Sequence, residues 1–251
     1  MRAVITGASS GIGLEFARVL HKRGYDLTLI ARRKERLEKL KAEFGDKTKI
    51  ITADLSQRSE VFRAFEEACG DDVSILINNA GFGLCGSFFE TDILRELEMI
   101  DTNITAVHIL TKLFVCEFIK KNRGYILNVA SIAAFLPGPL LCTYYATKAY
   151  VRVLTESVSA ELKERKSNVY IGALCPGPVK TEFDSVANVS FSLKGADARS
   201  TAEYAVRKMF KRKLYIFPAM SVRAAVFFSR FLPVRLLSKI TYRMQKKKIV
   251  K

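Results

Sequence analysis

The chain has 251 residues, of which 49% are hydrophobic and 26% are charged, so it is long enough to bury one substantial core. Its five widely spaced cysteines, which include no CxxC pair, and its two histidines argue against a disulfide framework and a metal site, and they favour a reducing, cytoplasmic location. The formal net charge is +16, and residues 204–251 alone hold 14 of the 41 basic residues and no acidic residue.

Apolar runs of strand length alternate with segments of helical pattern through most of the chain. The strand pattern covers residues 3–6, 26–31, 49–53, 73–77, 124–129 and 169–174, and the helical pattern covers 14–23, 34–44, 59–69, 92–121 and 147–163. Such alternation is typical of a parallel sheet that is covered on both faces. We therefore expect a single α/β domain with a Rossmann-like, doubly wound sheet in residues 1–203, and a basic amphipathic extension of the same domain in 204–251.

The first predicted strand ends in a glycine-rich segment with the sequence Thr6-Gly7-Ala8-Ser9-Ser10-Gly11-Ile12-Gly13. Backbone N–H groups of such a turn, together with the positive end of the following helix, can receive a pyrophosphate. The spacing is Gly-x3-Gly-x-Gly and differs from the common GxGxxG fingerprint. A glycine-rich turn without a ligand therefore stays open, although the position at the start of a strand-helix-strand unit favours a dinucleotide site.

Tyr144 and Lys148 are four residues apart, so on a helix they lie on the same face. A phenol is a poor acid or base at neutral pH, and a neighbouring ammonium is expected to lower its pKa toward the working range. Ser131 could hold a substrate carbonyl or hydroxyl against that phenol. A dinucleotide bound at the glycine-rich segment would carry the hydride.

Taken in chain order, these motifs resemble the short-chain dehydrogenase/reductase family. The resemblance runs from Ala3 to about Thr181 and includes the segment at 6–13, Asp54, Asn78-Asn79-Ala80-Gly81 and Pro176-Gly177. It implies four catalytic residues, namely Asn103, Ser131, Tyr144 and Lys148. By this resemblance Tyr144 donates the proton, Ser131 orients the carbonyl, Lys148 lowers the pKa of Tyr144 and binds the nicotinamide ribose, and Asn103 kinks its helix and holds a relay water.

Two of these assignments have competitors in the sequence. Tyr145 precedes Lys148 by three residues and could also reach it, but the family pattern Tyr-x-x-x-Lys selects Tyr144 and leaves Tyr145 to the packing or the pocket. Asn103 is equally well read as a polar residue on a helix face.

The resemblance also implies the cofactor site. Its predicted residues are Gly7, Ser9, Ser10, Gly11, Ile12, Gly13, Arg32, Arg33, Asp54, Leu55, Asn79, Ala80, Gly81, Tyr144, Lys148, Pro176, Gly177, Val179 and Thr181. A guanidinium after the second strand suits a 2′-phosphate, whereas a carboxylate there suits the free hydroxyl of NAD. The pair Arg32-Arg33 therefore favours NADP(H), with Arg32 as the preferred contact and Arg33 attributable to the start of the next helix.

Segments 82–84, 133–137 with Leu140, and 183–193 are expected to border the substrate, and they are mostly apolar. We therefore expect an NADP(H)-dependent oxidoreductase that interconverts a hydrophobic ketone, or a 3-oxoacyl compound, and its secondary alcohol. The alternative is a non-catalytic NADP(H)-binding protein that uses its basic extension to bind a membrane or a partner.

Apolar and basic side chains alternate irregularly in residues 220–244. Charged residues interrupt this segment too often for it to span a bilayer. Peripheral membrane contact, an oligomer contact and a solvated extension stay open, and no nucleic-acid reading motif is present. The family resemblance implies a homo-oligomer, a dimer or tetramer, paired through the long helices at 92–121 and 147–163.

Overall fold

A computed structural model of the chain describes residues 1–183, 187 and 195–246. Its strands are β1 (Arg2–Thr6), β2 (Asp26–Ala31), β3 (Lys49–Thr52), β4 (Val73–Asn78), β5 (Gly124–Val129), β6 (Val169–Leu174) and β7 (Tyr215–Ile216). They form one sheet in the order β3-β2-β1-β4-β5-β6-β7, and all neighbours are parallel. The predicted α/β class and doubly wound parallel sheet are confirmed.

Helices cover both faces of this sheet. They are α1 (Gly11–Lys22), α2 (Lys34–Phe44), α3 (Arg58–Ala68), α4 (Ile93–Ile100), α5 (Ala106–Lys120), α6 (Cys142–Glu164), α7 (Ala198–Phe210), α8 (Met220–Ser229) and α9 (Val234–Lys246). On β1, Ile5 faces the core under α1, α2 and α7, whereas Val4 faces the core under α3 and α5. Because successive side chains point to opposite, equally buried faces, the strands have no polar alternation.

Two helices differ from the sequence prediction in ways that affect the site. Helix α6 begins at Cys142 rather than at residue 147, so Tyr144 and Lys148 both lie within it. Helix α7 was not predicted, and its Ala205, Val206 and Met209 are fully buried in the core that α1 shares. The proposed boundary between residues 203 and 204 therefore falls inside a core helix.

The helix predicted over residues 92–121 is present but is interrupted by a π-helical turn, Asp101–Thr105, between α4 and α5. The whole span, Ile93–Lys120, is long and apolar enough to cross a membrane by length and composition, a test that buried core helices also meet. Phe114 and Phe118 of α5 are fully buried against the sheet. We therefore describe it as a core helix of the α/β fold.

Candidate active site

The carboxyl ends of the central strands border a cavity of about 610 Å³. In open parallel sheets ligands bind at this edge where the strand order reverses, which here is between β1 and β4. The cavity brings together the predicted residues Gly7, Ser9, Ser10, Gly11, Ile12, Arg32, Arg33, Asp54, Leu55, Asn79, Ala80, Gly81, Ser131, Tyr144, Lys148, Pro176, Gly177, Val179 and Thr181. Gly13 and Asn103, the other two predicted residues, contact this lining from behind.

The glycine-rich segment between β1 and α1 is packed too closely to accept side chains. A Cβ on Gly13 would lie 2.3 Å from the Gly7 carbonyl oxygen, and one on Gly7 would lie 2.8 Å from the Ala80 Cα atom. Gly7 and Gly11 also have φ angles of 64° and 55°, which favour glycine. Helix α1 starts at Gly11 without a side-chain cap from Ser10. Its first backbone N–H groups are therefore available to a phosphate, and the cradle fits a dinucleotide pyrophosphate.

Hydrogen bonds hold the end of β4 against this cradle. The Thr6 hydroxyl accepts from the backbone N–H groups of Asn79 (2.9 Å) and Ala80 (3.0 Å). The Asn79 side-chain amide donates to the carbonyl oxygens of Thr6 (3.1 Å) and Gly7 (3.2 Å). Asn79 thus fixes the shape of the glycine-rich segment as well as lining the cavity.

Of the two arginines after β2, Arg33 is the one that contacts the cradle. Its guanidinium donates to the hydroxyls of Ser10 (2.8 Å) and Ser9 (3.1 Å). Arg32, the arginine that the sequence favoured, instead pairs with Glu98 of α4 at 2.9 Å. The reason is local, because Arg33 occupies the N-cap position of α2 and its side chain extends back over the β1–α1 turn.

Glu182, which follows β6, pairs with two arginines at the cradle. Its two carboxylate oxygens accept from Arg33 (2.7 Å) and Arg36 (2.6 Å). These hydrogen bonds lower the pKa of Glu182 to about 2, so it stays anionic at neutral pH. A 2′-phosphate bound by Arg33 would compete with this carboxylate for the same guanidinium.

Ser131, Tyr144 and Lys148 meet on the other side of the cavity. The Ser131 side chain lies beside the Tyr144 phenol. Its oxygen accepts from the Ala133 N–H at 3.1 Å, which begins a short 3-10 turn at Ile132–Phe135. The Lys148 ammonium lies 5.8 Å from the centre of the Tyr144 ring and donates to the Val129 carbonyl oxygen at 2.9 Å.

Burial dominates the ionisation of this group. It raises the pKa of Tyr144 above its ordinary value, and the nearby Ser131 hydroxyl acts in the opposite direction. Burial also lowers the pKa of Lys148 to about 8. Desolvation disfavours the charged forms of both groups, and the lowering of the Tyr144 pKa by Lys148 stays a prediction. At neutral pH the phenol carries its proton.

Asn103 lies in the π-helical turn and is fully buried. Its side-chain oxygen accepts from the Phe82 N–H (3.1 Å), and its amide donates to the Phe82 carbonyl (2.9 Å) and the Thr147 hydroxyl (3.1 Å). The helix is therefore interrupted at Asn103, and the predicted kink stays a prediction. A Cβ on Gly81 would lie 2.7 Å from this side-chain oxygen and 3.5 Å from the Lys148 ammonium. Asn103 thus joins the end of β4 to α6 next to Lys148, and its relay water stays a prediction.

The substrate side of the cavity is built partly from the predicted segments. Phe82, Ala133 and Leu136 line it, whereas Phe135 packs against Tyr215 and Phe217. Within the predicted border at 183–193, residues 184–186 and 188–193 lie outside the described part of the chain.

The remaining wall comes from the two C-terminal helices, which the sequence assigned to an extension. Ser221, Val222 and Ala225 of α8, with Thr241, Met244 and Gln245 of α9, line the cavity. Tyr145 contacts this wall, because Gln245 donates a hydrogen bond from its amide nitrogen to the Tyr145 hydroxyl. Gln245 is only 2% exposed, and its amide oxygen has no hydrogen-bond partner within residues 1–183, 187 and 195–246. No local motif marks Gln245, since its partner is distant in the sequence.

Comparisons with known proteins agree with this geometry. The model of the short chain dehydrogenase family matches residues 1–189. The chain belongs to the short-chain dehydrogenase/reductase family. It has the Rossmann fold of that family, and the structures that it resembles include complexes with NADPH and NADH.

Individual members differ in substrate and cofactor. The very-long-chain 3-oxoacyl-CoA reductase of Anas platyrhynchos is 32% identical over 199 residues, which are 75% of this chain and 63% of the duck protein. A short-chain dehydrogenase from Sphingobium yanoikuyae in complex with NADPH has a TM-score of 0.83 and 29% identity, covering 91% of this chain and 93% of that one. A 3-ketoacyl-(acyl-carrier-protein) reductase from Brucella melitensis complexed with NADH has a TM-score of 0.74 and 27% identity, covering 83% and 90%. This chain spans less than two thirds of the duck relative.

Proposed function

We propose that this protein is an NADPH-dependent reductase that converts a hydrophobic ketone or 3-oxoacyl compound into its secondary alcohol. The observation that carries the proposal is the buried phenol of Tyr144. Its pKa is raised by burial, so at neutral pH it holds a proton that a carbonyl oxygen can take. In the direction of reduction, that proton goes to the carbonyl oxygen while the hydride of the cofactor goes to the carbonyl carbon.

The residues around the phenol have separate roles in this reaction. Ser131, which lies beside Tyr144 in the cavity, holds the carbonyl oxygen against the phenol, and Tyr144 donates its proton to that oxygen. The nicotinamide cofactor supplies the hydride when it is bound. Lys148 is fixed by its bond to the Val129 carbonyl and holds the ribose through its ammonium group. The apolar side chains of Phe82, Leu136 and Val222 exclude water from the reacting carbon.

The choice of NADPH over NADH rests on Arg33. Its guanidinium lies on the hydroxyls of Ser9 and Ser10, at the mouth of the pyrophosphate cradle, where a 2′-phosphate would accept two charge-assisted hydrogen bonds. Arg36 lies close by through the shared Glu182. The complex of the Sphingobium relative with NADPH supports this choice, and the complex of the Brucella relative with NADH is the reason to test it.

The substrate class rests on the wall of the cavity. It is mostly apolar, and one buried amide, Gln245, stands next to Tyr145 with its oxygen unpaired within the described residues. A substrate that carries a second hydrogen-bonding group beside an apolar chain would satisfy this amide. The name of the duck relative, a very-long-chain 3-oxoacyl-CoA reductase, agrees with such a substrate.

The test is a panel of ketones graded by chain length, each with and without a second oxygen function, assayed by the loss of NADPH absorbance. We expect turnover that increases with apolar chain length and is faster with NADPH than with NADH. A protein that binds NADPH but reduces no member of the panel would favour the non-catalytic alternative.

A further inference from the structure

Residues 220–246 contain α8 and α9, which we call the C-terminal helical pair, and this pair exposes a broad apolar surface. Its most exposed members are Phe231 (72%), Met220 (70%), Val234 (68%) and Phe228 (65%). The Phe227 ring centre lies 5.5 Å from the ring centres of both Phe228 and Phe231, so the three rings form one cluster. Contiguous exposed apolar side chains of this kind mark an interaction surface.

The cations of the C-terminal helical pair are exposed as well. Within the described ranges, Arg223, Arg230, Arg235, Lys239, Arg243 and Lys246 form no ion pair. Some arginines of the α/β body are paired, since Arg18 and Arg63 each bind two glutamates. Residues 204–251 contain no acid at all, so the surface is basic without internal compensation.

An anionic lipid surface meets both properties at once, because apolar side chains enter the interface while basic side chains face the lipid headgroups. Neither helix can cross a bilayer, since they have 10 and 13 residues and about 20 are needed. A second copy joined by a two-fold axis would bring this basic surface against itself, which like charges oppose. Nucleic-acid bases stack on aromatic rings, but Met220, Val234 and Leu236 are aliphatic and equally part of the surface.

We propose that the C-terminal helical pair docks the protein on an anionic lipid surface, with α8 and α9 lying in the plane of the interface. The inner side of the same helices lines the cavity through Val222, Thr241 and Gln245. Docking therefore holds the cavity wall beside the lipid, from which an apolar molecule could enter.

The test is cosedimentation of the full chain with phosphatidylcholine vesicles that contain or lack phosphatidylserine. Binding is expected only with phosphatidylserine and is expected to weaken as salt rises. The double variant Arg230→Gln with Arg235→Gln is expected to bind about 30-fold more weakly, from about fivefold for each charge removed near an anionic surface. Phe227→Ser with Phe231→Ser is expected to lose binding to a similar or greater extent.

Matched controls lie on the α/β body, where Phe62 of α3 is 47% exposed and Lys163 and Arg165 are exposed. Phe62→Ser, and Lys163→Gln with Arg165→Gln, are expected to bind vesicles like the wild type. The proposal is overturned if the wild type ignores anionic vesicles at low salt, or if the helical-pair variants bind as well as the controls. It is also overturned if Phe227→Ser with Phe231→Ser dissociates an oligomer without affecting vesicle binding, or if single-stranded DNA binds in preference to the vesicles. Because vesicle binding is measured without turnover, it is independent of the proposed reductase activity.

Discussion

Replacement of Arg33 by Ala is expected to remove most of the preference for NADPH over NADH. In the structure the Arg33 guanidinium contacts Ser9, Ser10 and Glu182, and it lies where the adenosine ribose would follow the pyrophosphate. A hydrogen bond to a charged group contributes about 1.5–3 kcal/mol. The Arg33 side chain is 44% exposed, so solvent screening places the effect near the lower end. We therefore expect about a tenfold weaker Kd for NADPH and little change for NADH.

Replacement of Glu182 tests the role of Arg33 in the opposite direction, by strengthening NADPH binding instead of weakening it. Its carboxylate, whose pKa is lowered to about 2, forms an ion pair with Arg33 that must break before Arg33 can bind a 2′-phosphate. Glu182→Gln removes that competing charge and is expected to tighten NADPH binding severalfold, again without affecting NADH.

The assay is a fluorescence titration of each variant with NADPH and NADH, with Arg32→Ala as the matched control because Arg32 pairs with Glu98. Arg32→Ala is expected to change the ratio of the two Kd values less than Arg33→Ala does. The reasoning is refuted if Arg32→Ala abolishes the preference while Arg33→Ala leaves it intact, or if the wild type binds both nucleotides equally.

Further predictions concern the buried lysine, the cradle and the pocket amide. Because burial lowers the Lys148 pKa to about 8 from 10.5, the rate of ketone reduction is expected to fall as pH rises through about 8, and a flat kcat/KM profile across that range would contradict a role for the cation. The same shift lowers the free energy of unfolding by about 3 kcal/mol below pH 8. Lys148→Met is therefore expected to be inactive, but its free energy of unfolding in urea is expected to be about 2 kcal/mol higher than that of the wild type, because the lost Lys148 hydrogen bond offsets part of the gain. This difference in stability is expected to shrink as pH rises from 8 toward 10.5. In that range the unfolded wild type binds more protons than the folded wild type, so the wild type becomes more stable with rising pH. Gly13→Ala forces a Cβ to 2.3 Å from the Gly7 carbonyl oxygen and is expected to abolish nucleotide binding, whereas Gly70→Ala, whose nearest neighbour is a side-chain oxygen at 3.2 Å, is expected to bind normally. Gln245→Leu is expected to raise KM for ketones that carry a second oxygen function and to leave plain ketones unchanged, and an equal change for both would exclude the amide from substrate recognition.

The fold follows from local sequence signals, and most of the cavity lining is implied by the resemblance to the family. The strand-helix alternation predicts the parallel sheet, and the glycine spacing predicts a cradle whose glycines indeed admit no Cβ at Gly7 and Gly13. These features are local because each depends on neighbouring residues along the chain.

The features that the sequence could not indicate depend on long-range packing. The wall formed by α8 and α9 was not expected, because Gln245 and Tyr145 are brought together only by the folded chain. The direction of the Arg33 side chain depends on where α2 begins, which periodicity does not fix to one residue. The raised pKa of Tyr144 likewise depends on burial, whereas the sequence reveals only that a lysine lies one turn away.

The most direct test of the central claim is the turnover of Tyr144→Phe, measured beside its binding of NADPH. Removal of the phenolic proton is expected to lower the rate of ketone reduction by about 10²–10⁴-fold. NADPH affinity is expected to be nearly unchanged, because Lys148 keeps its bond to the Val129 carbonyl. The control is Tyr145→Phe, which removes the neighbouring hydroxyl that binds Gln245 and is expected to retain most of its turnover on plain ketones. Turnover of Tyr144→Phe within a few-fold of the wild type would contradict the assignment of Tyr144 as the proton donor.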